Sequence, residues 1–286
     1  MSLRDAIAAF VTPGSVLFVG GMQHGEPCEA IREIVRQRIG GLTLVPALTQ
    51  TAALLVGEGL VFKLVHAYTT DLFDKKGYAF RRARERLTYP EIVELSHFGL
   101  SLALRAGQLG LPFLPTKAQL GSDLMPHAPD RLRTTTCPFT GETLAAVRAI
   151  VPDVAIVHVQ YADRFGNARK DGTLGLDRAG VHAAKKVIVT AERVVDSAFL
   201  RAEPERTLVP GFLVSAVVEL PWGAYPLHLR HCYRSALPHF RSAMQASDAY
   251  EAYIERWIHA PAASVEERIV AAFGRDHLEN LRVSTP

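Results

Sequence analysis

Cysteine is scarce: three residues, at 28, 137 and 232, stand in a chain of 286. An odd number this widely spaced supports no disulfide framework, and the expectation is a reducing, cytoplasmic setting. Long apolar runs are also missing. None reaches the ~18 residues of a spanning helix, so no membrane association is expected. The amino-terminal MSLRDAIAAF reads as the start of an amphipathic helix, not as a secretory leader. Charge of one sign is lacking as well, because 32 Lys and Arg are interspersed with 29 Asp and Glu for a net +3. That leaves no basic stripe for a nucleic-acid backbone. What is present is a 48% apolar content, enough for a substantial core without metal or disulfide support.

Short β-rich runs alternate with helical patterns, the signature of a mostly parallel sheet covered by helices on both faces. The runs Ser15–Val19, Leu42–Pro46, Val61–Ala67, Val154–Val159, Lys186–Thr190 and Val214–Leu220 read as strands. Glu26–Arg38 and Asp177–Ala184 read as helices, and another lies within Thr88–Leu109. Leu111–Pro115 carries too many prolines for a central strand and is expected at an edge or in a loop. The organisation expected is one α/β domain over residues 1–286, with a helical C-terminal extension from about 240 to 286 in which Tyr250, Tyr253, Ile254 and Trp257 share a packed face.

The first strand stops at Gly20-Gly21, and Gly25 follows before Pro27. Glycines there let backbone N–H groups approach a ligand at a helix entrance. The spacing is neither the dinucleotide fingerprint G-x-G-x-x-G nor a P-loop, and a plain strand-to-helix turn would explain it equally well. Other polar residues invite bland readings first. His158, inside an apolar strand, reads as a satisfied core histidine. His228, His231 and Cys232 lack a fourth ligand for zinc, so no metal is expected. The basic clusters at 81–84 and 185–186 read as solvated surface.

Five segments in order resemble the class I coenzyme A-transferases: PGSVLFVGGMQHGEP ending at Pro27, LGLPFLP (Leu109–Pro115), LGSDL (Leu120–Leu124), PDVAIVHVQYADRFGNAR (Pro152–Arg169) and VPGFLVSAVVELPWGAYP (Val209–Pro226). The similarity is to the A (alpha) subunits, those of glutaconate CoA-transferase and related ring-opening CoA hydrolases among them, and it spans roughly residues 3 to 230. The resemblance implies the CoA-transferase fold and acyl transfer through a glutamate that becomes a glutamyl-CoA thioester. That glutamate belongs to the B (beta) half. Glu58, Glu94 and Glu142 all lack its sequence context. A beta subunit is therefore the implied partner, in a hetero-oligomer whose substrates are an acyl-CoA and a carboxylic acid, catabolic ones by family analogy, with no bound cofactor beyond the coenzyme A thioester itself.

In that frame Gly20 and Gly21 are the expected oxyanion donors. Gln23, His24, Ser96, Gly121 and Ser122 are the expected substrate-side residues, and His97 is a candidate acid or base. Where the family has Phe after the two glycines this chain has Met22, its loop is one residue shorter, and Gly25-Glu26 replaces a basic pair. An acid at that position is expected to repel an anionic substrate. Two other readings stay open. One is a ring-opening C–C hydrolase acting on a CoA thioester, with His97 at its centre. The other is a non-catalytic binding subunit.

Overall fold

A computed structural model describes residues 1–72, 79–242 and 249–283. The expected C-terminal extension therefore falls in part outside the described residues, at 243–248 and 284–286. Strands β1 (Val16–Val19), β2 (Leu42–Pro46), β3 (Val61–His66) and β4 (Glu91–Glu94) alternate with helices. Strands β5 (Phe113–Thr116), β6 (Leu132–Thr136) and β7 (Thr143–Arg148) follow, then β8 (Val154–Asp163), β9 (Ala168–Arg169), β10 (Lys186–Val195), β11 (Thr207–Val209) and β12 (Val214–Glu219). Seven of these form one parallel array in the order β4-β3-β2-β1-β8-β10-β12. β9 and β11 add a short antiparallel ribbon against the far end of β8. β5, β7 and β6 make a separate antiparallel sheet, with the proline-bearing β5 at its edge as anticipated.

Alternation along the strands explains the two cores. Leu17, Val19, Leu42, Leu44 and Ile156 pack on one face with Ile31 and Ile34 of the helix Cys28–Arg36. The carboxy-terminal helices cover the same face through Tyr253, Trp257 and Ile269. Phe18, Val45, Ala155 and Val157 point to the other face, beneath the helices His97–Gln108 and Asp177–Ala183. Strand order reverses between β1 and β8: β2, β3 and β4 lie to one side of β1, and β8, β10 and β12 to the other. In open parallel sheets such a reversal leaves a crevice at the carboxyl ends of the strands, where ligands bind. Gly20 and Gly21 sit at that point.

Candidate functional site at the carboxyl edge of the sheet

Gly20 is required by space. A Cβ there would lie 2.6 Å from Val157 Cγ1 and 2.8 Å from Asp177 Oδ1. Gly21 has φ +97°, a left-handed conformation that side chains rarely adopt. The N–H groups of both are committed inside the chain, however. Gly20 N–H donates to the Ile156 carbonyl (2.9 Å) and Gly21 N–H to Asp177 Oδ1 (2.7 Å). The expected oxyanion role of these two donors is thereby corrected, because each is already engaged in holding the loop.

The loop's other anchors are ionic and buried. Lys170 Nζ donates to Asp177 Oδ2 (2.6 Å) with both side chains out of solvent, and also reaches the Gly25 carbonyl (3.3 Å). Glu26 does not face a substrate, so the repulsion expected of it is corrected too. It is fully buried and accepts N–H groups from Gln50 and Thr51, each at 3.0 Å. Burial pushes its carboxyl up to about 7, against the pull of those two donors and of Lys170. His24 is also inside. Its Nδ1–H donates to the Thr173 carbonyl (3.4 Å) and its Nε2 accepts the Arg230 N–H (3.1 Å). Burial first, then the Lys170 and His228 charges, lower it to about 4, so the ring is neutral. Gln23, at φ +55°, is exposed at the loop's tip.

A second group of residues gathers beyond β4. Ser96 caps the helix His97–Gln108 by accepting the Gly99 N–H (3.0 Å). His97, the first residue of that helix, is exposed, its ring 6.5 Å from that of Tyr68. The Gln119 side chain lies over Gly99, where a Cβ would come within 2.6 Å of Gln119 Nε2. Gly121 and Ser122 continue the same loop, exposed, with Ser122 Oγ–H donating to the Gln119 carbonyl (2.7 Å). The structure thus brings Ser96, His97, Gly121 and Ser122 into one neighbourhood and sets Gly20, Gly21 and His24 in another. Since β4 is three strands from β1, roughly 14 Å of sheet separates the two.

Sequence reasoning missed Gln119, Thr49 and Thr70. The Gln119 amide and the hydroxyls of Thr49 and Thr70 are buried without a hydrogen-bond partner among the described residues. Buried polar groups are normally paired, so these are groups with hydrogen-bonding capacity left over for a ligand or a water. No motif announces them; only the tertiary arrangement does. His158, by contrast, is satisfied: Nε2–H donates to Glu192 Oε1 (2.8 Å) and Nδ1 meets the Thr190 hydroxyl (2.9 Å).

A seven-strand parallel array with a glycine-tight loop at its reversal point defines an α/β protein with a ligand crevice at its carboxyl edge. The chain belongs to the coenzyme A transferase family, whose profile matches residues 1–220. Among curated relatives, the A-type (alpha) chain of 3-oxoadipate CoA-transferase from Pseudomonas knackmussii is 37% identical over 82% of this chain and 83% of its own length. The cholesterol ring-cleaving hydrolase IpdA subunit of Rhodococcus jostii is 32% identical, with 79% of each covered. A longer Archaeoglobus fulgidus protein is 31% identical over 99% of this chain, which spans 64% of it. The crystal structure of glutaconate coenzyme A-transferase from Acidaminococcus fermentans superposes with a TM-score of 0.87 at 29% identity, covering 99% of this chain and 95% of that one. The transferase relatives it matches, of 3-oxoadipate and of glutaconate CoA-transferase, are both the A-type (alpha) chains of their enzymes. Among the described residues no helix is long and apolar enough to cross a membrane.

Proposed function

We propose that the chain is the alpha subunit of a CoA-transferase that moves CoA between an acyl-CoA and a carboxylic acid, with the reacting glutamate on a beta subunit. The observation that carries this reading is the state of the carboxylates around the signature loop. Glu26 is sealed in the core under two backbone N–H groups. Asp177 is divided between Lys170 and Gly21. Neither can attack a thioester. In the proposed reaction the partner's glutamate attacks the thioester carbonyl, giving a mixed anhydride and expelling CoA thiolate. The thiolate then attacks the glutamyl carbonyl, forming glutamyl-CoA and releasing the first acid, and the acceptor acid runs the same two steps in reverse. This chain supplies one wall of the pocket and the unpaired polar groups of Thr49, Thr70 and Gln119.

The test is borohydride reduction after incubation with acyl-CoA, followed by peptide mass analysis. The chain alone is expected to exchange no label between acyl-CoA and free acid. Mixed with a B-type chain from the same source, it is expected to restore exchange and leave the reduced adduct on the other polypeptide. An adduct on Glu94, the exposed carboxylate ending β4, would overturn the reading. The hydrolase alternative predicts a different result: CoA release without an acceptor acid, abolished by His97→Ala.

A further inference from the structure

The carboxyl edge carries a cavity of about 430 Å³ beside the signature loop. Its lining includes His24, His228, Arg230, His231 and Arg234, and no Asp or Glu lines it among the described residues. The scaffold is a tight hairpin. Leu229 and Tyr233 pair across it, with Leu229 N–H donating to the Tyr233 carbonyl (3.1 Å) and Tyr233 N–H to the Leu229 carbonyl (3.0 Å). His231 turns the tip at φ +67°, a conformation that a non-glycine residue holds only when its surroundings impose it.

The hairpin's backbone is tied on both sides of its tip. Arg230 N–H is held by His24 Nε2 (3.1 Å), and the Arg230 carbonyl accepts from Gln160 Nε2 (3.0 Å). Arg234 N–H donates to the Leu281 carbonyl (2.8 Å), and Gly25 N–H to the His228 carbonyl (3.0 Å). The side chains are another matter. Neither the Arg230 nor the Arg234 guanidinium has an ion-pair partner among the described residues, and both are exposed. The nearby acid Asp171 is taken by Arg206 at 2.6 Å. His24 feels Lys170, His228 and Arg230 as positive neighbours and no negative one.

We infer that this cavity is a binding site for a multiply charged oxyanion, of phosphate or polycarboxylate type. Two guanidiniums carried on a tied turn can supply charge-assisted donors to such groups, and the turn's held backbone means little ordering is lost on binding. At about 430 Å³ the cavity has room for more than a single phosphate group. The site does not depend on the CoA-transfer reading. The hairpin is clipped to His24 and Gly25 of the signature loop, so an occupied site bears directly on that loop.

Calorimetric titration of the full chain with pyrophosphate and, separately, with citrate tests this. Saturable binding of at least one is expected, and which one binds identifies the oxyanion type. Arg230→Ala/Arg234→Ala should weaken it about ten-fold or more, while Arg4→Ala, which removes a charge from the amino-terminal helix, should leave affinity unchanged. Both arginines are exposed, so the double variant should keep the thermal midpoint of the parent. No binding of either anion by the parent, or equal losses in the double and control variants, would overturn the assignment. Neither result touches the transfer reaction, which is read by label exchange.

Discussion

Two buried titratable residues in the signature loop pull stability in opposite directions as pH changes. Glu26, raised to about 7, binds a proton in the folded chain that the unfolded chain has already released, so its contribution is full below about pH 4.5 and is lost as pH rises toward 7. His24, lowered to about 4, does the reverse: its contribution is full above about pH 6.5 and is lost as pH falls toward 4. Over the shared window the two largely cancel. Glu26→Gln removes one of them, so urea titrations should show the variant gaining on the parent by roughly 3 kcal/mol between pH 4.5 and 7, whatever fixed offset the amide introduces. A flat difference would show that Glu26 is ionised throughout. Gly20→Ala has no such pH signature. It drives a methyl into Val157 and Asp177 and should cost about 1–3 kcal/mol at any pH, read by the denaturation midpoint. The need for glycine at 20 and 21 was legible in the sequence. The occupation of their N–H groups was not, because the acceptor Asp177 lies 156 residues from Gly21.

One buried carboxylate ties the helix Cys28–Arg36 to the carboxy-terminal helices. Glu29 meets Arg32 at 3.0 Å, Arg36 at 2.6 Å and Arg268 at 2.8 Å, and Arg268 belongs to the distant helix Val265–Phe273. Burial alone would raise this acid; the three guanidiniums overcome burial and hold it below its ordinary value. Arg32 in turn lies 4.8 Å from the Trp257 ring centroid and donates to the Tyr253 hydroxyl (2.9 Å). Glu29→Gln strands buried cations and should cost about 3–5 kcal/mol, with amide exchange in Val265–Phe273 accelerating before that of the strands. The packed face of Tyr250, Tyr253 and Trp257 was visible in their spacing, whereas this ionic clamp was not. The parallel strands were visible for the same reason as the aromatics: they are buried on both sides and read as apolar runs. β4, β6 and β7 escaped because Glu91–Glu94 and Leu132–Thr136 are largely solvent-facing, and Thr143–Arg148 alternates only weakly. β9 and β11 are too short, at 2 and 3 residues, to leave a periodic trace.

Both cores share the same strands, and Leu132 and Val147 of the small antiparallel sheet join the core that contains Phe18 and Val157. The molecule is accordingly expected to melt as one unit. Differential scanning calorimetry should give a single transition with matching calorimetric and van't Hoff enthalpies, and two resolved peaks would show that the small sheet or the carboxy-terminal helices unfold independently. The strand order also has a consequence for biosynthesis. β1 pairs with β2 soon after both leave the ribosome, but its other neighbour, β8, begins only at Val154. At translation rates of about 5–20 residues per second, the nascent polypeptide carries an open Leu17–Val19 flank for on the order of ten seconds. A row of bare amides and carbonyls on an oily strand is a template for wrong pairing, so slowing elongation, or withholding holdase chaperones, should send newly made protein into inclusion bodies even though the finished molecule is well sealed.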